Sequence, residues 1–230
     1  MTIVIATIRP WNLRRARALK RAMTGRVKVR IIERPSELTP ARLRRIQPAY
    51  VFFPHWSRMI PEEIYSGFEC VVFHMTDLPF GRGGSPLQNL ISKGLRRTKV
   101  SAIRAGRDLD AGPVYMKAPV SLAGPAQEIY ERVSGLVFDK LIPAIIRNKP
   151  RPKPQRGRPV FFVRRKPEES RLPEFRSARE AYDFIRMLDA DGYPRAYVDQ
   201  GALRVEFRNA SIKGGCVRAE AVFKPRGKNE

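Results

Sequence analysis

The sequence predicts an α/β protein: a mostly parallel sheet with helices on both faces, followed by a small α+β module. Three observations carry this prediction. Short apolar runs alternate with helix-like segments through residues 1–75, the order that builds a parallel, doubly wound sheet. Residues 125–148 place apolar side chains at helical spacing. A stretch rich in Pro, Lys and Arg then precedes shorter strand-like runs. The expected division is a first domain at 1–148, a basic Pro-rich linker at 149–170 and a module at 171–230.

Each element has a local reason. "TIVIAT" (2–7) is a short apolar run, consistent with a buried strand. Residues 11–23 read as a basic helix with Leu13, Ala16 and Leu19 on one side. "VKVRII" (27–32) alternates as a strand does. "TPARLRRI" (39–46) has a capping threonine, then proline at the first helical position. "AYVFFP" (49–54) is another apolar strand, "PEEIYSGF" (61–68) a short helix and "CVVFH" (70–74) a fourth strand. After a glycine-rich loop, 86–93 read as a helix, with Ser85 placed to cap it. "KVSAIRA" and "VYMKAPVSL" read as strands around the turn "GRDLDAGP". Ile129, Val133, Leu136, Val137, Leu141 and Ile145 line one core-facing stripe of a long helix over 125–148. "NKPRPKPQRGRP" (148–159) offers little to bury and reads as a linker or surface crossing. "SARE" (177–180) is a capping box opening a helix to about Leu188. Strands are expected at 197–198, 203–208 and 217–223.

Charge is the outlier of the composition. Among 230 residues, 45 basic against 22 acidic side chains give a net +23. Such a field favours anionic partners, whether nucleic acid, nucleotides or phosphorylated small molecules. The basic residues are spread along the chain, with clusters at 14–21, 42–45, 96–99 and 149–166, and a solvated basic surface is the other reading. No apolar run reaches the length of about 18 residues that a membrane helix needs. The N-terminus puts its charge after its apolar stretch, the reverse of a signal peptide. Cys70 and Cys216 lie far apart and form no metal-ligand spacing. A cytoplasmic setting, no membrane and no metal site are expected.

Two histidines, His55 and His74, each stand at the end of an apolar strand. That edge of an open parallel sheet is where ligands bind. The loop "LPFGRGGSP" holds glycines that permit close approach of a ligand. "DLDAGPV" sets Asp108 and Asp110 ahead of a tight turn; an aspartate brought near His74 would orient the imidazole or take its proton. Trp11, Trp56 and Tyr65 offer stacking surfaces, or are core aromatics.

Together these pieces resemble the folate-dependent formyltransferase family. "VFHMTDLPFGRGGSPLQ" lines up without gaps with that family's Asn-X-His strand end and following loop, matching at His74, Leu78, Pro79, Arg82, Gly83, Pro86 and Gln88. "LDAGPVY" matches the later segment, with Asp110 at the family's aspartate. "YDFIRMLDADGYPRAYV" is similar to the start of the C-terminal module of methionyl-tRNA and sugar formyltransferases. The first half is short for the family, so a strand–helix unit is expected to be missing.

The resemblance implies a Rossmann-like domain, 10-formyltetrahydrofolate as formyl donor and a primary amine as acceptor. It implies His74 and Asp110 as catalytic residues. The loop Leu78, Pro79, Phe80, Gly81, Arg82, Gly83 and Gly84 would line the folate site. Trp11, Asn12, Trp56, Ser57 and Gln88 would face the acceptor. The departure is Val72, where the family has asparagine. Valine donates no hydrogen bond. His55 or Ser57, one strand away, is the expected replacement, and His55 joins the catalytic set on that ground. The wording of 52–91, with "TIRPWN" at the first strand end, is similar to a subgroup associated with amino sugars. The acceptor expected first is therefore an amino-sugar nucleotide. The alternatives are methionyl-tRNA, and a non-catalytic binding protein that kept the fold after losing the asparagine.

Overall fold

The computed structural model describes residues 1–226. The chain forms two compact units that interleave along the sequence. The first comprises Met1–Gly83, Thr98–Val120 and Glu131–Phe161; the second comprises Gly84–Arg97, Ser121–Tyr130 and the chain from Phe162 onward.

In the first unit, the apolar runs become strands β1 (Thr2–Ala6), β2 (Lys28–Ile32), β3 (Tyr50–Phe53) and β4 (Cys70–His74). β1, β3 and β4 lie in the sheet interior, while β2 alternates buried and exposed residues at its edge. β1 pairs in parallel with both β2 and β3, and β3 pairs in parallel with β4. Three helices lie between them in sequence: α1 (Pro10–Ala22), α2 (Pro40–Ile46) and α3 (Glu62–Gly67). Thr39 caps α2 by accepting from the Arg42 amide at 3.2 Å, with Pro40 at the first helical position. The interior is close-packed aliphatic and aromatic side chains, including Ile3, Ile5, Phe52, Phe53, Val71 and Phe138, each essentially inaccessible. Full burial of such a side chain stabilises by about 1.5–3 kcal/mol.

Chain order turns one way from β1 to β2 and the other way from β1 to β3. This switch point is where open α/β sheets leave a crevice beyond their carboxyl ends. β6 (Arg97–Arg104) then joins β4 antiparallel, with His74 opposite Ser101, and β7 (Val114–Ser121) follows at the far edge of a six-stranded sheet.

Five expectations need correction. Phe80–Gly83, read as loop, is strand β5. It pairs with β8 (Val160–Phe162), which arises inside the stretch read as a linker. Ser85 does not cap the helix it precedes, α4 (Pro86–Ser92): it sits at φ 47°, and its hydroxyl accepts from the Arg165 amide at 3.0 Å. The long helix over 125–148 is three pieces: α5 (Ala126–Leu136), a π-helical turn (Val137–Leu141) and α6 (Ile142–Asn148). Pro143 has no N–H for the carbonyl four residues earlier, and its ring crowds that carbonyl; the widened turn accommodates both. The predicted stripe is otherwise core, with Leu136 half-buried. The last correction concerns length: β10 (Leu203–Lys213) runs five residues past its predicted end, while β11 (Cys216–Pro225) lies within two residues of its predicted range; a register shift falls between Arg208 and Ser211.

The second unit pairs α4 with α7 (Ala178–Leu188) and adds the antiparallel sheet β11-β10-β9, where β9 is Ala196–Gln200. Ser177 accepts from the Glu180 amide at 3.2 Å, and the Glu180 carboxylate accepts from the Arg176 amide at 2.9 Å, one residue before the position a standard capping box uses. Arg186 is buried here, held by Asp183 at 2.5 Å and by the carbonyls of Leu122 and Gly124 at 2.7 and 2.8 Å.

Among the described residues, no helix is long and apolar enough to cross a membrane. No group of three or more His, Cys, Asp or Glu side chains is placed to hold a metal ion.

Candidate functional site

His74 ends β4 and is 8% exposed. Its two ring nitrogens face two different acceptors. Nδ1 lies 3.4 Å from Asp110 Oδ2, and Nε2 lies 2.7 Å from the Gly81 carbonyl. The same Asp110 oxygen accepts from the Gly83 amide at 3.0 Å, and the Gly81 carbonyl also accepts from Thr76 Oγ1 at 3.2 Å. Strand β5 thus closes a ring with His74 and Asp110, two side chains 36 residues apart in sequence. Gly81 and Gly83 have φ of 76° and 105°, a region side chains with a Cβ rarely enter.

Asp110 itself sits at φ 52°, inside the turn between β6 and β7. Gly112 shows how tightly that turn is drawn in: a Cβ there would lie 1.8 Å from the Arg104 carbonyl oxygen. Gln155 holds the turn from the other side. Its Nε2 donates to the carbonyls of Asp110 at 2.8 Å and Gly112 at 2.9 Å. Its Oε1 accepts from Arg82 Nε at 3.1 Å and Nη2 at 2.8 Å. Nothing in "KPQRG" marks a glutamine with this role, and sequence reasoning missed it.

The start of the loop is anchored separately. Ser101 Oγ donates to the Thr76 carbonyl at 2.7 Å. Asp77 receives Lys117 at 2.6 Å and Lys99 at 2.9 Å. Partial burial works to raise the Asp77 pKa, but the hydrogen bonds from Lys117 and Lys99 outweigh it and hold the carboxyl below its ordinary value. Lys117 also donates to the Leu78 carbonyl, and the Leu78–Pro79 peptide is cis. Leu78 is buried; Phe80 and Arg82 are half-buried.

His55 lies beyond the end of β3, in the left-handed region at φ 51°. Its ring meets Trp11 edge-on at 5.7 Å, and the Arg9 guanidinium lies 5.8 Å over that indole. Burial, and then the charge of Arg9, push the imidazole down to about 3. At neutral pH His55 is therefore uncharged. A neutral imidazole carries one N–H.

The remaining expected residues fall in different places. Asn12 is buried, donating to the Pro54 carbonyl at 3.2 Å and accepting from Ser134 at 2.5 Å. Thr7 donates to the same carbonyl at 2.8 Å, so Asn12 and Thr7 fix the chain just before His55. Trp56 packs edge-on against Phe53 at 5.7 Å, in the cluster that also receives Val72. Its indole N–H is buried and meets no acceptor among the described residues. Ser57 is exposed. Gln88 belongs to the second unit, where its amide donates to Tyr130 Oη and the Met187 carbonyl, both at 3.1 Å. Gly84 also belongs there, its amide bonded to the Phe162 carbonyl at 3.1 Å. A Cβ on Gly84 would lie 2.4 Å from that of Arg164.

Comparison with known proteins identifies relatives of the chain. Residues 167–224 match the family model described as methionyl-tRNA formyltransferase, C-terminal domain. A methionyl-tRNA formyltransferase from Sinorhizobium medicae is 31% identical over 150 residues, covering 61% of this chain and 47% of that protein. The chain thus spans about half the length of the curated relatives it matches. The solved methionyl-tRNA formyltransferase from Clostridium thermocellum is 45% identical, covers 98% of this chain and 99% of its own, and superposes with a TM-score of 0.95. A sugar N-formyltransferase from a Shewanella species, 16% identical with a TM-score of 0.72 over 93% of this chain and 98% of its own, shares the fold. A mixed α/β unit with a mainly parallel sheet, a C-terminal antiparallel sheet and a near full-length relative at this identity place the chain in the folate-dependent formyltransferase family, among the proteins similar to methionyl-tRNA formyltransferase.

Proposed function

We propose that the chain transfers a formyl group from 10-formyltetrahydrofolate to a primary amine, and that this amine is carried by methionyl-tRNA. The observation that carries the reading is the His74–Asp110 pair closed by β5, found in a chain 45% identical over nearly its whole length to a protein named for this reaction. The amino-sugar acceptor expected first from the sequence has weaker support: the sugar formyltransferase relative is similar in fold alone. The net charge of +23 also suits a polyphosphate acceptor. A cytoplasmic setting goes with this reading, and both Cys70 and Cys216 are free thiols.

The residues present fit a folate. Bare backbone at Gly81 and Gly83, with half-buried Phe80 and Arg82, suits a flat ring that carries donors and acceptors along its edge. In the cluster beside Val72, the Trp56 N–H is a buried donor in want of an acceptor such as a carbonyl oxygen. The folate would supply an activated formyl carbon. His74 would hold a proton at Nε2 for the oxygen that gains charge, once the Gly81 carbonyl yields its place. Asp110 would orient that ring through Nδ1 and receive the proton the amine sheds, which would then pass to the folate nitrogen as its bond to the formyl carbon breaks. A prepositioned donor of this kind is typically worth about 2.7–4 kcal/mol in the transition state. Val72 contributes none, so the N–H of His55 at the neighbouring strand end is the second donor in this scheme.

The test is formyl incorporation by the full chain, given 10-formyltetrahydrofolate and either methionyl-tRNA or an amino-sugar nucleotide. Formylation of the tRNA, falling steeply as salt rises, is expected. Transfer to the sugar alone would overturn the acceptor. Folate binding without turnover on any amine would favour a binding protein, and absence of folate binding would remove the enzyme reading altogether.

A further inference from the structure

We infer that Gln155 is a positioning residue for the reaction: it locks the Asp110 turn and the Arg82 guanidinium into one body beside His74. The role rests on the proposed formyl transfer, but the geometry behind it does not. One amide makes four hydrogen bonds, and they use both of its chemical functions. The oxygen accepts twice from Arg82, at 3.1 and 2.8 Å; the nitrogen donates twice to the Asp110 turn, at 2.8 and 2.9 Å. Only a primary amide offers acceptor and two donors on one planar group.

The bonds matter because of what they join. Arg82 and Gly83 are consecutive on β5, and Gly83 donates to the Asp110 carboxylate that faces His74. Gln155 therefore closes a second loop around the first: Arg82 to Gln155, Gln155 to the Asp110 backbone, the Asp110 side chain to Gly83. Asp110 holds a left-handed φ of 52°, a conformation an aspartate adopts at some cost and keeps only when its surroundings fix it. The two amide bonds to the turn supply that fixing. Gln155 is itself held in place just beyond Lys153, which exchanges both backbone bonds with Val114 at 2.7 and 2.8 Å.

Two substitutions separate positioning from general stability. Gln155→Ala removes all four bonds. Gln155→Glu keeps the acceptor for Arg82 but, as a carboxylate, turns two donors into oxygens facing carbonyls. In the full chain, Gln155→Glu is expected to keep the KM for the folate within about threefold while kcat falls about a hundredfold, the scale of a small misplacement of a reacting group. Gln155→Ala should lower kcat similarly and raise that KM as well. The kcat of Gln155→Glu relative to the parent should recover as pH falls and the new carboxyl gains a proton to donate.

The second readout needs no activity: hydrogen exchange at the Gly83 amide, which reports whether the Asp110 carboxylate stays in place. It should quicken at least tenfold in both variants, with other β5 amides less affected. If the parent forms no formylated product, the proposed function fails, and Gly83 exchange still decides on Gln155. A Gln155→Glu variant with parental kcat and parental Gly83 exchange would overturn the inference. So would loss of kcat in step with uniform quickening of exchange across the sheet.

Discussion

β3 and β4 are neighbouring parallel strands, and a histidine stands at the carboxyl end of each. Position alone makes them equivalent, and their surroundings make them opposites. His74 faces the Asp110 carboxylate on Nδ1 and the Gly81 carbonyl on Nε2. His55 is half-buried beside Trp11 and near Arg9, and both desolvation and the guanidinium disfavour its charged form. The difference teaches that a strand end brings a histidine to the crevice, while the elements that fold over it decide which groups its ring meets. For His74 those elements are β5 and the Asp110 turn. For His55 they are the start of α1 and the chain leading into it.

The largest expected break in this comparison is His74→Ala, which should lower kcat about 10²–10⁴-fold, the usual range for losing a general acid or base. Steady-state formylation rates check it. Asp110→Asn comes next: the Gly83 amide keeps an oxygen to bond, but the charge facing His74 is gone. A fall of about a hundredfold in kcat is expected. His55→Ala should cost less, about tenfold, because a neutral N–H contributes a hydrogen bond and no proton transfer. Adding Val72→Asn to that variant should restore most of the rate by returning the family's donor to β4. Failure of the pair to recover would show that the β3 end does not replace the asparagine.

The smallest effect is on stability. His55 titrates near 3 when folded and near its ordinary 6.5 when unfolded. Between those values the unfolded chain binds the extra proton. His55 therefore leaves stability untouched above pH 6.5 and erodes it as pH falls toward 3. The erosion approaches about 1.4 kcal/mol per pH unit. His55→Asn tolerates the left-handed backbone and does not titrate. Denaturant melts at pH 7, 5.5 and 4.5 should show a shallower decline for this variant than for the parent.

Much of the site was legible because its residues are contiguous or punctuated. The apolar runs ending in His55 and His74, the glycines of 81–83 and the Asp110 turn all announce themselves through local pattern. The parts that were not legible depend on pairing across long separations. Asn12 is at the predicted strand end, yet Pro54 and Ser134 take up its amide. Gln88 matches the family loop, but its bonds go to Tyr130 and Met187. β5 reads as loop because glycine and arginine carry no strand preference; β8 makes it a strand. The π-helical turn was concealed because Pro143 leaves the apolar stripe intact while removing one backbone donor.

The crossing between Asn148 and Phe161 has a consequence for how such proteins can be recombined. By composition it is a natural seam: proline, charge and little to bury. Its backbone bridges Val114, its Gln155 ties Arg82 to the Asp110 turn, and its Val160 donates to the Pro79 carbonyl. A chimera joined at Asn148 would carry the donor module's version of this strap across a catalytic unit that grew up with another. Exchange of C-terminal modules, in the laboratory or in evolution, should succeed only when the graft point lies beyond Phe161, so that the strap is inherited with the aspartate it holds.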